Sequence, residues 1–183
     1  MLQAQGVSYP AIIVRDMQAS LEFYTRLGLR LLYVEPNRDD PESIVAMMAF
    51  GEEDGEGVAG DAFLQLVGPT HPGVNISEAK LGVGSMQYLA LQVSRAQMQA
   101  MFDELSRAGV QGSEVIERGY ERLVFLDDPN GVLVTLVSWA SEPPPGMSRA
   151  KVLARATAIR EQTGAPFIED AHVFQAIAEL SVE

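Results

Sequence analysis

The chain has 183 residues, no cysteine, and 13 basic against 25 acidic side chains, a formal net charge of −12. That balance repels nucleic acid phosphates and anionic lipid head groups, so neither is an expected partner. The missing cysteines exclude disulfides, thiolate catalysis and thiolate metal sites, and suit a reducing compartment.

No apolar run approaches the roughly 18 residues of a membrane span, and the opening MLQAQGVSYP lacks the basic and apolar regions of a signal peptide. A soluble cytoplasmic protein is expected.

Ser8 to Val14 reads as a strand, and Asp16 is placed to cap a helix from Met17 to Leu27 in which Met17, Leu21, Tyr24 and Leu27 share one apolar face. Gly28 ends that helix. Leu29 to Glu35, Ser43 to Phe50 and Asp61 to Val67 read as three further strands, giving the order β-α-β-β-β. The turn-rich stretch Pro69 to Gly84 then reads as a linker.

After it the order repeats. Met86 to Val93 reads as a strand, and Ser94 with Gln97 forms a capping box for a helix whose Met98, Met101, Phe102 and Leu105 lie on one side, closed by Gly109. A short strand near Ser113 to Glu117 leads into Tyr120 to Trp139, a β-hairpin around Asp128-Pro129-Asn130-Gly131. Here Asn130 and Gly131 are the residues expected to accept positive φ.

Tyr9-Pro-Ala-Ile-Ile-Val aligns with Tyr88-Leu-Ala-Leu-Gln-Val, and Leu64-Gln-Leu-Val with Val134-Thr-Leu-Val, so the two modules form an internal repeat. The predicted architecture is therefore α+β, two βαβββ modules over residues 8–68 and 85–140 within a domain of 1–142.

Residues 143–183 form an extension. Pro143-Pro144-Pro145-Gly146 breaks the chain, and Ser148 caps a helix to Thr163 with Leu153, Ala156 and Ile159 inward. Gly164 and Pro166 stop it, and Asp170 caps a second helix with Val173, Ile177 and Leu180 on one face. Such a helical hairpin must dock its apolar face, either on its own domain or a second copy, or across a ligand cleft.

Several motifs dissolve on inspection. Gly55-Glu-Gly57-Val-Ala-Gly60 matches G-x-G-x-x-G but precedes a strand beside Glu52, Glu53 and Asp54, where phosphate is repelled. The acidic run from Gly51 to Glu56 lacks the ligand spacing of a calcium loop. No nucleophile elbow is present, and the two histidines support no triad. His71 sits in the linker and His172 early in the last helix, the place of a capping or solvated histidine. Glu35 and Glu121 lie on predicted strands and could do acid or base work from there; alternation alone does not orient them, and solvent is the expected direction.

The two modules, with VRDMQASLEFYTRLGL after the first strand and DDPNGVLVTLV at the end, resemble the vicinal oxygen chelate superfamily. That family includes glyoxalase I, extradiol dioxygenases, methylmalonyl-CoA epimerase and the fosfomycin and bleomycin resistance proteins. The resemblance covers Ser8 to Trp139 and implies a curled mixed sheet enclosing a cup, commonly in a homodimer. It also implies a divalent ion held from the first and last strands of each module. In this sequence those positions carry Tyr9, Gln65, Tyr88 and Thr135 instead of histidine and glutamate. Two phenols, an amide and an alcohol offer no anionic ligand near neutral pH, since an ordinary tyrosine titrates near about 10. No cofactor is expected, a divalent metal being the runner-up.

The expectation is a metal-independent protein, similar to the bleomycin resistance proteins, that binds a small apolar or aromatic organic molecule. Tyr9, Gln65, Tyr88 and Thr135 would supply a polar floor, with Tyr33, Met48, Met86, Phe125 and Trp139 lining the cup if they do not fill the core. Two alternatives stand beside it. One is a lyase, isomerase or oxygenase using Tyr9 or Tyr88 as an acid, or a metal held by other residues. The other is a non-catalytic interaction protein working through its helical tail.

Overall fold

The computed structural model describes residues 7–50, 62–70 and 85–182. His71, the G-x-G-x-x-G match, the acidic run and most of the linker fall outside the described residues.

The order of elements is β1 (Ala11–Ile13), α1 (Met17–Arg26), β2 (Arg30–Pro36), β3 (Ser43–Ala49), β4 (Phe63–Pro69), then β5 (Leu89–Gln92), α2 (Arg95–Arg107), β6 (Ile116–Arg118), β7 (Glu121–Asp127), β8 (Leu133–Trp139), and finally α3 (Arg149–Thr163) and α4 (Asp170–Leu180). Each module builds one four-stranded sheet, in the orders β1-β4-β3-β2 and β5-β8-β7-β6. The outer pairing is parallel in both: Ala11 faces Gln65 and Ala90 faces Thr135. The internal repeat read from the sequence thus reappears as identical register. The chain divides into two compact units, one of residues up to 87 with 127–132, the other of 88–126 with 133–183.

Helix ends follow their side chains. Asp16 accepts from the Ala19 N–H at 3.0 Å, and Ser94 and Gln97 close the capping box. Helix α4 departs from expectation: Glu169, not Asp170, is its cap, and His172 Nδ1 accepts from the Glu169 N–H at 2.9 Å. On the helix face predicted for α1, Tyr24 and Leu27 are buried as expected, but Ser20 and Phe23 are buried where Met17 and Leu21 are only half-buried.

Within the first unit, the loop Asp127–Val132 is tied to α1 by a buried polar network. Asp128 is 4% exposed. Its Oδ1 accepts the Asn130 and Val132 N–H groups at 2.7 and 2.8 Å. Its Oδ2 accepts the Tyr24 hydroxyl at 3.1 Å and the Asn130 amide at 3.0 Å. That amide also donates to Ser20 Oγ, while Asn130 Oδ1 accepts the Arg15 N–H at 2.7 Å. The turn itself is closed by Gly131 N–H donating to the Asp128 carbonyl, with φ of 80° at Gly131. Asn130 keeps a negative φ, contrary to expectation, because its amide is needed as a bridge rather than its backbone as a left-handed corner.

Burial, then the Asp128 charge and hydrogen bond, push the Tyr24 phenol above its ordinary value of 10.0. A raised folded pKa gives stability that is present below about pH 10 and lost as the pH climbs past it. Thermal melts should therefore fall more steeply above about pH 10 in the native chain than in Tyr24→Phe, and parallel curves would contradict this origin.

The second unit carries the extension. Trp139, Val152, Ala156, Ile159, Val173 and Ala176 form its buried cluster, with Tyr120, Met147, Leu153, Ile168, Ile177 and Leu180 packed around them. Small residues at Ala156 and Ala176 allow α3 and α4 to approach closely, and Arg155 pairs with Glu179 between them. The helical pair docks on Trp139, whose ring meets Tyr120 edge-on at 5.2 Å and lies under the Arg149 guanidinium at 5.2 Å. Among the described residues no helix is long and apolar enough to cross a membrane.

Candidate functional site

Each sheet has one face covered by its module's helix and one opposite, open face, and register assigns residues to each. In the first unit a Cβ at Gly68 would meet Met17 of α1 at 3.3 Å, which identifies the helix side. Alternation then sets Leu64 and Leu66 beside Gly68, and Phe63, Gln65 and Val67 on the open face. The ladders extend this into one row across four strands: Ala11, Gln65, Met47, Tyr33. The next row is Ile13, Val67, Val45, Glu35. Tyr9 continues the parity of β1 and is 43% exposed.

One expectation changes here. Met48 pairs with Leu64 and has no exposed surface, so it belongs to the core under α1, and Met47 is the open-face methionine. Glu35 is exposed, as expected, and shares the face of Tyr33 by ordinary alternation, the register shift between Leu31 and Tyr33 falling before both.

In the second unit Ser138 Oγ lies 3.7 Å from Met98 Sδ, marking the α2 side of β8. Thr135, Val137 and Trp139 therefore lie on the open face. The β7–β8 ladder is closed at its two ends by Asp128 N–H to the Val132 carbonyl and Ala140 N–H to the Tyr120 carbonyl, the same offset each time. This sets Phe125 opposite Thr135 and Glu121 opposite Trp139.

The corresponding row is Ala90, Thr135, Phe125. Tyr88, two residues before Ala90, meets the Phe125 ring edge-on at 6.1 Å. Thr135 is fully buried, and its Oγ1 has no hydrogen-bond partner among the described residues. Arg118 is registered against Glu121 on this face and pairs with it at 3.3 Å. The Tyr88 hydroxyl, and after it Glu121, hold the Arg118 guanidinium above the ordinary arginine range.

Of the other predicted lining residues, Tyr33 and Phe125 take open-face positions, and Met86 is 50% exposed just before β5. Trp139 is consumed by the tail: at 5% exposure it anchors α3 and α4 instead of facing a ligand. The tail accordingly packs on its own unit, over the Trp139 end of the face that carries Thr135. Sequence reasoning missed Met47 and Arg118. Met47 sits in an unbroken apolar run without alternation to orient it, and Arg118 lies in a three-residue strand whose meaning comes only from its ladder partner.

The donor set does not fit a divalent metal. Phenol, amide and alcohol oxygens bring no anionic ligand, and among the described residues no group of three or more His, Cys, Asp or Glu side chains is gathered.

A family model for the Glyoxalase/Bleomycin resistance protein/Dioxygenase superfamily matches residues 6–136. No curated protein matches the chain. Among solved structures, a glyoxylase/bleomycin resistance protein/dioxygenase domain from Frankia is 16% identical, with a TM-score of 0.60 over 75% of this chain and 99% of its own. A fosfomycin resistance protein of Listeria monocytogenes, complexed with Mn(II), is 16% identical with a TM-score of 0.54 over 76% and 95%. The trypanothione-dependent glyoxalase I of Leishmania major is 19% identical with a TM-score of 0.55 over 88% and 99%. At these identities the structures speak for the fold. With paired βαβββ modules in matching register and a family match across both, the chain belongs to the glyoxalase/bleomycin resistance protein/dioxygenase superfamily.

Proposed function

We propose that this protein binds a small, largely apolar or aromatic organic molecule on the open faces of its sheets, without a metal. The observation that carries this reading is the buried Thr135 hydroxyl, left without a hydrogen-bond partner among the described residues in the row that ends on Phe125, the ring Tyr88 meets. A buried hydroxyl with no hydrogen bond costs about 1–3 kcal/mol, a cost a ligand oxygen at that position relieves. The aromatic pair supplies contact area, while Tyr88 supplies a further polar group. In the first unit Gln65 and Tyr9 play the matching polar part, with Tyr33 as the exposed aromatic surface. A cytoplasmic homodimer goes with this reading.

The test uses 1-naphthol as probe with untagged, full-length protein. Saturable binding should survive exhaustive chelation. Thr135→Val should weaken it about fivefold while raising the stability of the free protein by about 1 kcal/mol. Absence of saturable binding, or its loss on chelation, would overturn the proposal.

A further inference from the structure

The open face of the second sheet is apolar and aromatic, with one exception of position and charge. Arg118 is the one basic side chain among the strand residues on that face, in the company of Tyr88, Phe125, Leu123, Thr135 and Glu121. Its side chain is 55% exposed and meets Glu121 through a single nitrogen at 3.3 Å, so most of its five-donor fork is unused by that pair. An exposed ion pair of this kind adds little stability, which leaves the arginine poorly explained as a structural element.

We propose that Arg118 and the Tyr88 hydroxyl form an acid-recognition subsite, which binds the carboxylate or other oxyanion of the organic ligand while Phe125 holds its apolar part. This rests on the ligand-binding reading above and narrows it to acidic ligands. Three observations support it. The Tyr88 hydroxyl stands beside the guanidinium, so two donors converge where register places both on one face. The Thr135 hydroxyl, without a hydrogen-bond partner among the described residues, lies on the same face in the row of Phe125 and points independently to a missing polar partner there. The chain as a whole carries −12, a field that repels anions, so an acidic ligand needs a local guanidinium to be held at all. The planar fork suits an oxyanion in a bidentate grip, which an ammonium could not reproduce.

The experiment compares 1-naphthoate with 1-naphthol by two-dimensional NMR titration of the full-length protein at low and moderate salt. The native chain should bind naphthoate at least about tenfold more tightly at low salt, an advantage that shrinks as salt rises. Arg118→Gln should bring the two probes to within about twofold of one another, and Arg118→Lys should recover only part of the preference. Equal affinities in the native chain, or a preference that survives Arg118→Gln, would overturn the subsite while leaving the ligand-binding reading standing. If neither probe binds, both fall together.

Discussion

Replacing Asp128 with alanine should cost about 3 kcal/mol, the largest loss expected from any single polar side chain in the first unit. One carboxylate there accepts four hydrogen bonds, from two backbone N–H groups, the Tyr24 hydroxyl and the Asn130 amide. Its removal leaves all four donors facing a small apolar void, and a buried donor without an acceptor loses more than a hydrogen bond gains. For a chain of this length the melting temperature should drop by roughly 6–12 °C. Asp128→Asn keeps the shape but turns one acceptor into a donor, and should cost about half as much. Chemical denaturation followed by far-ultraviolet circular dichroism measures both. A loss below about 1 kcal/mol for Asp128→Ala would show that the loop is held by something else.

Trp139→Ala should cost about 4 kcal/mol, because it empties the centre of the cluster on which both C-terminal helices rest. Edge-to-face contact with Tyr120 and stacking under Arg149 would be lost together with the buried area. The tail should loosen first, so limited proteolysis should cut near Pro143 to Met147 well before the rest of the domain opens. Phe167, which is 69% exposed, provides the contrast: its replacement by alanine should move stability by less than about 0.5 kcal/mol. If Trp139→Ala loses less than about 1.5 kcal/mol and its tail stays protected, the helical pair is anchored elsewhere.

The modular architecture was legible because the local signals agreed with one another. Asp16, Ser94 and Ser148 each cap the helix they were expected to cap, and Gly164 ends α3 at a φ of 69°. The repeat was legible as well, since Tyr9 and Tyr88 each lie two residues before the paired alanines Ala11 and Ala90, and Gln65 and Thr135 occupy equivalent ladder positions.

Orientation was harder to read. The run from Ser43 to Ala49 is apolar at nearly every position, so nothing in it distinguishes Met47 from Met48, and only the ladder to Gln65 and Leu64 does. The irregularity between Leu31 and Tyr33 leaves no mark in composition, yet it puts Tyr33 on the face of Met47 while Leu31 shares that of Met48. Trp139 looked like a ligand-facing aromatic because the tail's docking point depends on tertiary packing, to which periodicity is blind. The role of Asn130 misled for a related reason: an Asn-Gly pair is a turn signal, but here the side chain reaches residues over a hundred positions away.

The most direct test of the account is metal content by elemental analysis of untagged protein, with native mass spectrometry on the same sample. The donor set of Tyr9, Gln65, Tyr88 and Thr135 predicts less than about a tenth of an equivalent of any transition metal, and an added mass from a small organic acid. Close to one equivalent of metal, lost on Tyr9→Phe or Tyr88→Phe, would contradict it.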